Sequence, residues 1–308
     1  MSRPIEIVEV SPRDGLQNEK VEISTTQKVE LINRAIGAGA RRIEATSFVS
    51  PRAVPQMADA IEVMARLRGE HDLRARGVTL IGLALNKRGF ERALASEVDE
   101  VNFVVGASES FNQRNQNASI AQTMAEFATV MEIAKAEGMR TGLTISVAFG
   151  CPFEGEVAHE RVVALAHEAA SLGAFEIALG DTIGVADPLA VETLMAKVAA
   201  AAPGAPLRLH FHNTRNTGIA NAFAAWRAGA ATLDSSIAGL GGCPFAPKAT
   251  GNIATEDLVY MLARMGAETG YDLDSLIAVT NWVEAQGLKP ASMVSRAGGF
   301  PSPVKSAT

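Results

Sequence analysis

Only two cysteines, Cys151 and Cys243, occur among 308 residues. They lie far apart, fit no zinc or disulfide spacing, and each precedes a Pro-Phe pair. They are therefore expected to be free thiols in loops, in a reducing compartment. No apolar run approaches the roughly 18 residues that a membrane-spanning helix needs, which argues against a helical membrane protein. Met1 runs straight into the alternation Ile5-Glu6-Ile7-Val8, leaving no room for a signal peptide. A soluble, cytoplasmic protein is expected. Basic excess is missing too: 28 Lys and Arg stand against 34 Asp and Glu, for a net charge of −6. With the cations spread along the chain, no nucleic-acid partner is expected. No Ser/Pro-rich linker, charge run or low-complexity tract divides the sequence. A single domain is expected, because α/β barrels commonly fill this length.

The chain does contain short β-rich runs that alternate with helical patterns almost from end to end. Strands are predicted at Ile5–Val10, Arg42–Ser47, Thr79–Ala84, Glu100–Val105, Gly142–Val147, Glu176–Leu179, Leu207–His212 and Ala231–Ile237. Apolar residues at helical spacing predict helices at Thr26–Ala38, Arg52–Leu67, Ser119–Ala136, Glu160–Leu172, Ala190–Ala201 and Thr217–Ala228. Gly39, Gly138, Gly173 and Gly229 follow the last turns of such segments, where a left-handed C-cap suits glycine. Eight strands alternating with helices imply an α/β fold closed into a (β/α)8 TIM barrel. An open doubly wound sheet would show a glycine-rich fingerprint after its first strand, and Pro12-Arg13-Asp14-Gly15 is not one. A C-terminal helical extension is expected from about residue 272, centred on Asp274–Ala285, with a loose tail after Arg296.

Barrel enzymes carry their chemistry at the C-terminal ends of the strands. The unusual polar residues of this sequence fall there: Arg13 and Asp14, Glu44 and Ser47, Asp181 and Thr182, His210 and His212, then Cys243 and Asn252. His210-Phe211-His212 is the sharpest local signal. Alternate strand residues share a face, so both imidazoles can meet one ion; an isolated pair of this kind is also often purely structural. With Asp14 and Asn252 they would make a two-nitrogen, two-oxygen site. Mixed imidazole, carboxylate and amide ligation without thiolate suits Mg²⁺ or Mn²⁺, and suits Zn²⁺ less well. Plainer readings exist: Asp14 could cap a turn before Gly15, and Arg13 could simply pair with Glu44. The stretch Gly239–Asn252 is a long Gly/Pro-rich loop, of the kind that serves as a lid or binding loop. Its Cys243 could supply an acid or base on closure; Cys151 reads as a bystander thiol.

These motifs converge on one family. Ser11-Pro-Arg-Asp-Gly-Leu-Gln-Asn-Glu-Lys20 resembles the metal-and-arginine motif of hydroxymethylglutaryl-CoA lyases. Ser47-Phe-Val-Ser-Pro51 with Val54-Pro-Gln-Met57 resembles the second-strand motif, and Gly180-Asp-Thr-Ile-Gly184 the sixth. Gly239–Asn252 followed by Ala254-Thr-Glu-Asp-Leu258 resembles the signature cysteine loop and its following helix. The resemblance implies that Asp14, His210, His212 and Asn252 hold a divalent cation. It implies that Arg13 faces the thioester carbonyl, that Cys243 rides a mobile loop, and that Glu44 and Asp181 support the acid–base network. Glu256 matches a further acid of the pattern, and Arg13, Gln17, Ser47 and Thr182 are the expected substrate contacts. The implied reaction is retro-Claisen cleavage of 3-hydroxy-3-methylglutaryl-CoA to acetyl-CoA and acetoacetate, as in leucine catabolism. A small-molecule acyl-CoA is then the partner, and a homo-oligomer (dimer or tetramer) is expected.

The sequence departs from the family pattern at Asn213-Thr-Arg-Asn216, at Lys248 and at Ala178, all expected near the substrate pocket. Citramalyl-CoA or a longer-branched 3-hydroxyglutaryl-CoA is the alternative substrate. Condensing synthases of the isopropylmalate and homocitrate type share the barrel and metal site but usually carry an additional C-terminal region. Amidohydrolases place their His-x-His pair on the first strand rather than the seventh. A non-catalytic scaffold would have lost ligands, and none is lost here.

Overall fold

Successive residues of a strand point to opposite faces, and in this chain the two faces differ in chemistry. In the computed structural model, which describes residues 4–70, 72–242 and 251–301, all eight expected strands form. They are β1 (Glu6–Glu9), β2 (Arg42–Ser47), β3 (Thr79–Ala84), β4 (Glu100–Gly106), β5 (Arg140–Ser146), β6 (Ile177–Asp181), β7 (Leu207–Phe211) and β8 (Thr232–Ser235). Each pairs in parallel with its sequence neighbour, and β1 closes on β8 with Val8 opposite Asp234. The (β/α)8 barrel expected from the alternation is therefore the fold.

The outward faces, with Ile7, Ile43, Leu80, Phe103, Leu143 and Leu209, join one continuous apolar layer beneath the helices. The inward face is different. Val8, Val10 and Ile81 form a small apolar cluster of their own. Around them the buried inward side chains are polar: Arg42, Glu44, Glu100, Asn102, Arg208 and Asp234. At the floor, Arg42 holds Glu176 through two hydrogen bonds of 2.9 Å and also donates to Glu100 at 2.9 Å. The barrel interior is thus a column of paired charges.

Among the described residues the helices are α1 (Thr25–Gly37), α2 (Ala60–Glu70), α3 (Lys87–Ala95), α4 (Glu109–Gln116), α5 (Ile120–Glu137), α6 (His159–Ser171), α7 (Pro188–Ala201), α8 (Gly218–Ala228), α9 (Thr255–Arg264), α10 (Leu273–Ala285) and α11 (Met293–Ala297). Capping boxes at Ser24/Gln27 and Ser119/Gln122 fix the starts of α1 and α5 by satisfying backbone donors that a helix start leaves open. The expected helix Arg52–Leu67 is corrected. Pro55 lacks an N–H and holds Val54 out of the helical region, so a short 3₁₀ turn at Pro55–Met57 precedes α2. Helices α3, α4 and α11 were not expected. They span nine, eight and five residues, and polar stretches such as Glu-Ser-Phe-Asn-Gln-Arg-Asn-Gln carry no usable apolar period.

The C-terminal extension docks on the barrel flank. Asp272 N–H donates to Ala38 O at 2.9 Å, Gln27 donates to Gln286 at 2.9 Å, and Arg34 stacks 5.1 Å from the Trp282 ring. Gly39 makes this approach possible: its φ is +114°, and a Cβ there would fall 2.3 Å from Gly270 O. No helix among the described residues is long and apolar enough to cross a membrane.

Candidate active site

The first strand delivers two charged residues through an unusual turn. After Val10 the chain makes one wide turn, Ser11–Gly15, in which Gly15 N–H reaches back to Val10 O at 3.1 Å. A buried carboxylate braces it: Glu9 accepts from Ser11 N (2.8 Å), Ile237 N (3.0 Å) and Thr255 Oγ1 (2.7 Å), tying the tops of β1 and β8 together. Arg13 and Asp14 project from this turn into the barrel mouth.

His210 and His212, alternate residues at the end of β7, face Asp14. Its Oδ2 lies 3.9 Å from His210 Nε2 and 3.7 Å from His212 Nε2. Asn252 is far along the chain, yet its Nδ2 donates to the same Asp14 oxygen at 2.7 Å and to Leu240 O at 3.0 Å. Residues 251–254 achieve this by wedging between the tops of β7 and β8. Asn213 N bonds Gly251 O (2.8 Å), Ile253 N bonds Phe211 O (3.2 Å) and Ser236 N bonds Ile253 O (3.0 Å). The start of the loop is held equally closely. Gly241 has φ +116°, a Cβ on it would lie 2.6 Å from Asn252 Nδ2, and a Cβ on Gly251 would lie 1.5 Å from Gly241 O. Only glycine at both positions lets the loop ends close over Asn252.

Asp14, His210 and His212 offer ligand atoms within 4.8 Å of one another, a possible metal site. One orphaned polar atom supports the fit: Asn252 Oδ1 is buried without a hydrogen-bond partner among the described residues, and a buried polar atom left unpaired is costly unless something fills the gap. Burial pushes the Asp14 carboxyl up, but Arg13 and the two histidines outweigh it and hold the group well below the usual carboxylate range. Burial and the neighbouring His210 push His212 down to about 4, so its ring is neutral near pH 7, as a ligand must be. For His210, burial opposes the charged ring, but the hydrogen bond to Asp234 and the charge of Asp14 move its pKa upward.

Beneath the site lie residues that position at a strand end does not single out. His210 Nδ1 lies 3.0 Å from Asp234 Oδ2 on β8. Arg208, two residues before His210, grips Asp234 through bonds of 2.5 and 3.0 Å. Arg13 pairs with Glu44 and donates to Asp14 Oδ1 at 2.6 Å. Glu44 in turn accepts from Asn102 Nδ2 at 2.9 Å, and Asn102 Oδ1 accepts from Thr144 at 2.7 Å. The plain reading that Arg13 pairs with Glu44 is correct, and Arg13 still faces the opening. The signal that could have found Arg208, Asn102 and Asp234 was the recurrence of polar residues at period two inside otherwise apolar strands.

A cavity of about 690 Å³ opens from this cluster, with Arg13, Asp14, His210 and His212 at one pole and Leu83, Leu85, Val104 and Phe111 on an apolar wall. Gln17 and Thr182 line it, as expected, and α4 contributes Arg114 to Gln116. Thr182 is fixed by accepting from Val147 N at 2.9 Å; Val147 sits at φ +52°, a strained state for a β-branched residue beside a binding cavity. Other expected residues are close but not on the wall. Glu44 is buried behind Arg13, and Ser47 is buried at the end of β2. Asp181, its pKa raised by burial, accepts from Val185 N (2.8 Å) and Ala186 N (3.1 Å) and so staples the turn that follows Thr182. Glu256 is fully buried, accepts from Ala238 N at 2.9 Å and from Thr280, and is pushed up to about 7 by burial. Cys243 and Lys248 lie outside the described residues. The departures at 213 and 215 stand beside the cavity but do not line it. Asn213 accepts from Gly218 N (3.1 Å), and Arg215 donates to Ile183 O (2.9 Å) and Gly184 O (2.8 Å), clamping the loops after β6 and β7. Ala178 is buried on β6 and does not line the cavity.

The model of the HMGL-like family matches residues 4–283, all but the ends of the chain. The chain belongs to the HMGL-like family. This HMGL-like protein is 44% identical over 301 residues to the (R)-citramalyl-CoA lyase of Chloroflexus aurantiacus, covering 96% of this chain and 95% of that one. It is 44% identical over 277 residues to the 3-hydroxy-3-isohexenylglutaryl-CoA/hydroxymethylglutaryl-CoA lyase of Pseudomonas aeruginosa, covering 90% and 91%. Its fold matches an HMG-CoA lyase from Acinetobacter baumannii, solved with coenzyme A and 3-methylmalate, at a TM-score of 0.90 and 38% identity, covering 97% and 98%.

Proposed function

We propose that this HMGL-like protein is a divalent-cation-dependent carbon–carbon lyase that cleaves 3-hydroxy-3-methylglutaryl-CoA to acetyl-CoA and acetoacetate. One observation carries the reading: Asp14, His210, His212 and Asn252, drawn from three distant segments, meet at one point beside Arg13 at the barrel mouth. Mg²⁺ or Mn²⁺ held there supplies Lewis-acid polarisation of the substrate's C3 hydroxyl, which brings its proton loss within reach of neutral pH.

The remaining chemistry belongs to the chain's own residues. A base takes the hydroxyl proton, C3 becomes the ketone, and the C2–C3 electron pair moves onto C2 as the enolate of acetyl-CoA. Arg13 is permanently cationic and faces the thioester oxygen, where that negative charge gathers. Pinned by Glu44 and Asp14, it meets the charge without a reorganisation step. C2 then takes a proton, with Cys243 of the loop as the proposed acid. Gln17 and Thr182 contact the acyl-CoA from the cavity wall. Glu44, Asp181 and Glu256 act through the groups they hold: Arg13, the turn beyond Thr182, and the base of the cysteine loop.

A second reading is specifically favoured by the citramalyl-CoA lyase, 44% identical over 301 residues. Citramalyl-CoA has one methylene fewer before its free carboxylate, and the same bond cleavage gives acetyl-CoA and pyruvate. Incubation with each ester plus Mg²⁺ or Mn²⁺, with identification of the oxo-acid released, decides between them. Acetoacetate formation at the higher kcat/KM supports the first reading and pyruvate the second. Release of neither overturns both.

A further inference from the structure

One guanidinium at the middle of the barrel is bonded to the two carboxylates that hold His210 and Arg13. Arg208 is inward-facing on β7 with a side chain 3% exposed. It binds Asp234 through Nε (2.5 Å) and Nη2 (3.0 Å), and Nη2 also reaches Glu44 Oε2 at 3.4 Å. Asp234 passes the contact to His210 Nδ1 at 3.0 Å, and Glu44 passes it to Arg13. Below, Glu176 Oε2 stands 3.8 Å from Arg208 Nη1 and is itself bound by Arg42. We infer that Arg208 is a positioning residue for both halves of the active site, orienting the His210 ring through Asp234 and the Arg13 guanidinium through Glu44.

Stability alone does not account for this arrangement. Buried ion pairs commonly contribute no more than well-packed apolar side chains of the same volume, and a barrel interior is usually filled with Val, Ile and Leu. Here the interior instead carries planar, bidentate contacts whose upper ends are the two side chains that face the cavity. Geometry explains the choice of arginine. A guanidinium offers donors in a fixed fork, so a single residue can hold Asp234 in plane while a further N–H reaches Glu44, whereas an ammonium would fix neither carboxylate in orientation. With Asp234 held, His210 keeps its Nδ1–H directed downward and its Nε2 directed at Asp14 and His212. Partners of this kind, one bond removed from a metal ligand, typically govern affinity by 10- to 100-fold when removed.

The inference rests on the metal site of the proposed function, and the arms that read Mn²⁺ binding and the His210 ring separate the two without any acyl-CoA. Mn²⁺ is titrated calorimetrically into the full-length protein and into Arg208→Gln, Arg208→Lys and Asp234→Asn. The ring ¹⁵N shifts of His210 are read in the metal-free proteins. The expected result is a roughly 10- to 100-fold weaker Mn²⁺ Kd for Arg208→Gln, Arg208→Lys and Asp234→Asn, because charge without the fork does not suffice, and a His210 tautomer no longer fixed as Nδ1–H. At saturating Mn²⁺, Arg208→Gln should still show a lowered kcat with little change in KM, because Arg13 loses its support through Glu44. If Arg208→Gln fails to fold, Asp234→Asn, which preserves volume, reads the same link. Folded Arg208→Gln or Asp234→Asn with a Kd within about twofold of the parent and an unchanged tautomer overturns the inference, and leaves Arg208 a structural ion pair. A parent protein that binds no Mn²⁺ overturns the metal site and the inference together.

Discussion

Glu256 offers the most quantitative prediction. Its carboxyl is 0% exposed, sits in the first turn of α9, and accepts from Ala238 N and Thr280 Oγ1. Burial is the dominant influence and moves its pKa from 4.5 to about 7. A tenfold change in proton affinity is worth about 1.4 kcal/mol, so ionising this side chain costs the folded protein about 3 kcal/mol more than the unfolded chain. The sign follows from proton binding. Between pH 4.5 and 7 the folded state holds the proton more tightly, so this contribution to stability is full below the unfolded pKa and is lost as pH rises through 7. Glu256→Gln is neutral throughout and keeps a carbonyl to accept from Ala238. The variant should match the parent near pH 4 and exceed it by about 3 kcal/mol at pH 8.5. For a chain of this size that is about 5 °C in Tm. Melting curves of both proteins at pH 5, 6, 7, 8 and 9 in EDTA, which removes stabilisation by bound cation, test this. Parallel pH profiles would refute the reasoning, because they would mean that the carboxyl is hydrated or compensated. The site consequence can be read in parallel. Ala238, which Glu256 holds, has φ +62° and begins the loop that returns to Asn252, so ionisation of Glu256 alters the anchoring of that loop.

Three further outcomes are expected. Asp14→Ala and His212→Ala should each lose Mn²⁺ binding and turnover together, and unchanged activity in either would remove the basis for the site. Arg13→Met should lower kcat by about 10²- to 10³-fold with a modest change in KM, the size of effect seen when one oxyanion donor is removed; a pure KM defect would contradict its place at the thioester oxygen. Cys243→Ser should cripple turnover while Mn²⁺ affinity and Tm stay at parental values, and full activity would reduce this cysteine to a bystander.

The barrel was legible because periodicity is a local property. Eight β-rich runs separated by helical spacing appear whatever the chain does in space, and the strand ends could be read to within a few residues. The candidate metal cluster was legible for a related reason. In a parallel barrel every strand ends at the same rim, so polar residues at strand ends must share it, and Asp14, His210 and His212 do. Short polar helices such as α4 escaped, because eight residues with few apolar side chains carry no phase. The expectation grouped Asn252 with Asp14 and the two histidines as a polar residue beyond the eighth strand. The structural cause of its placement, a segment wedged between β7 and β8 by glycines 241 and 251, appears only in three dimensions.

By itself the sequence determined the element order, the closure of the sheet and which rim holds the chemistry, since each depends on residue type and spacing along one strand. Only the tertiary structure decided which charges pair. Arg208 and Asp234 lie 26 residues apart on adjacent strands, and Arg208 and Glu44 lie 164 apart across the interior. Strand register and barrel diameter bring them into contact, and neither quantity is a property of any local stretch of chain.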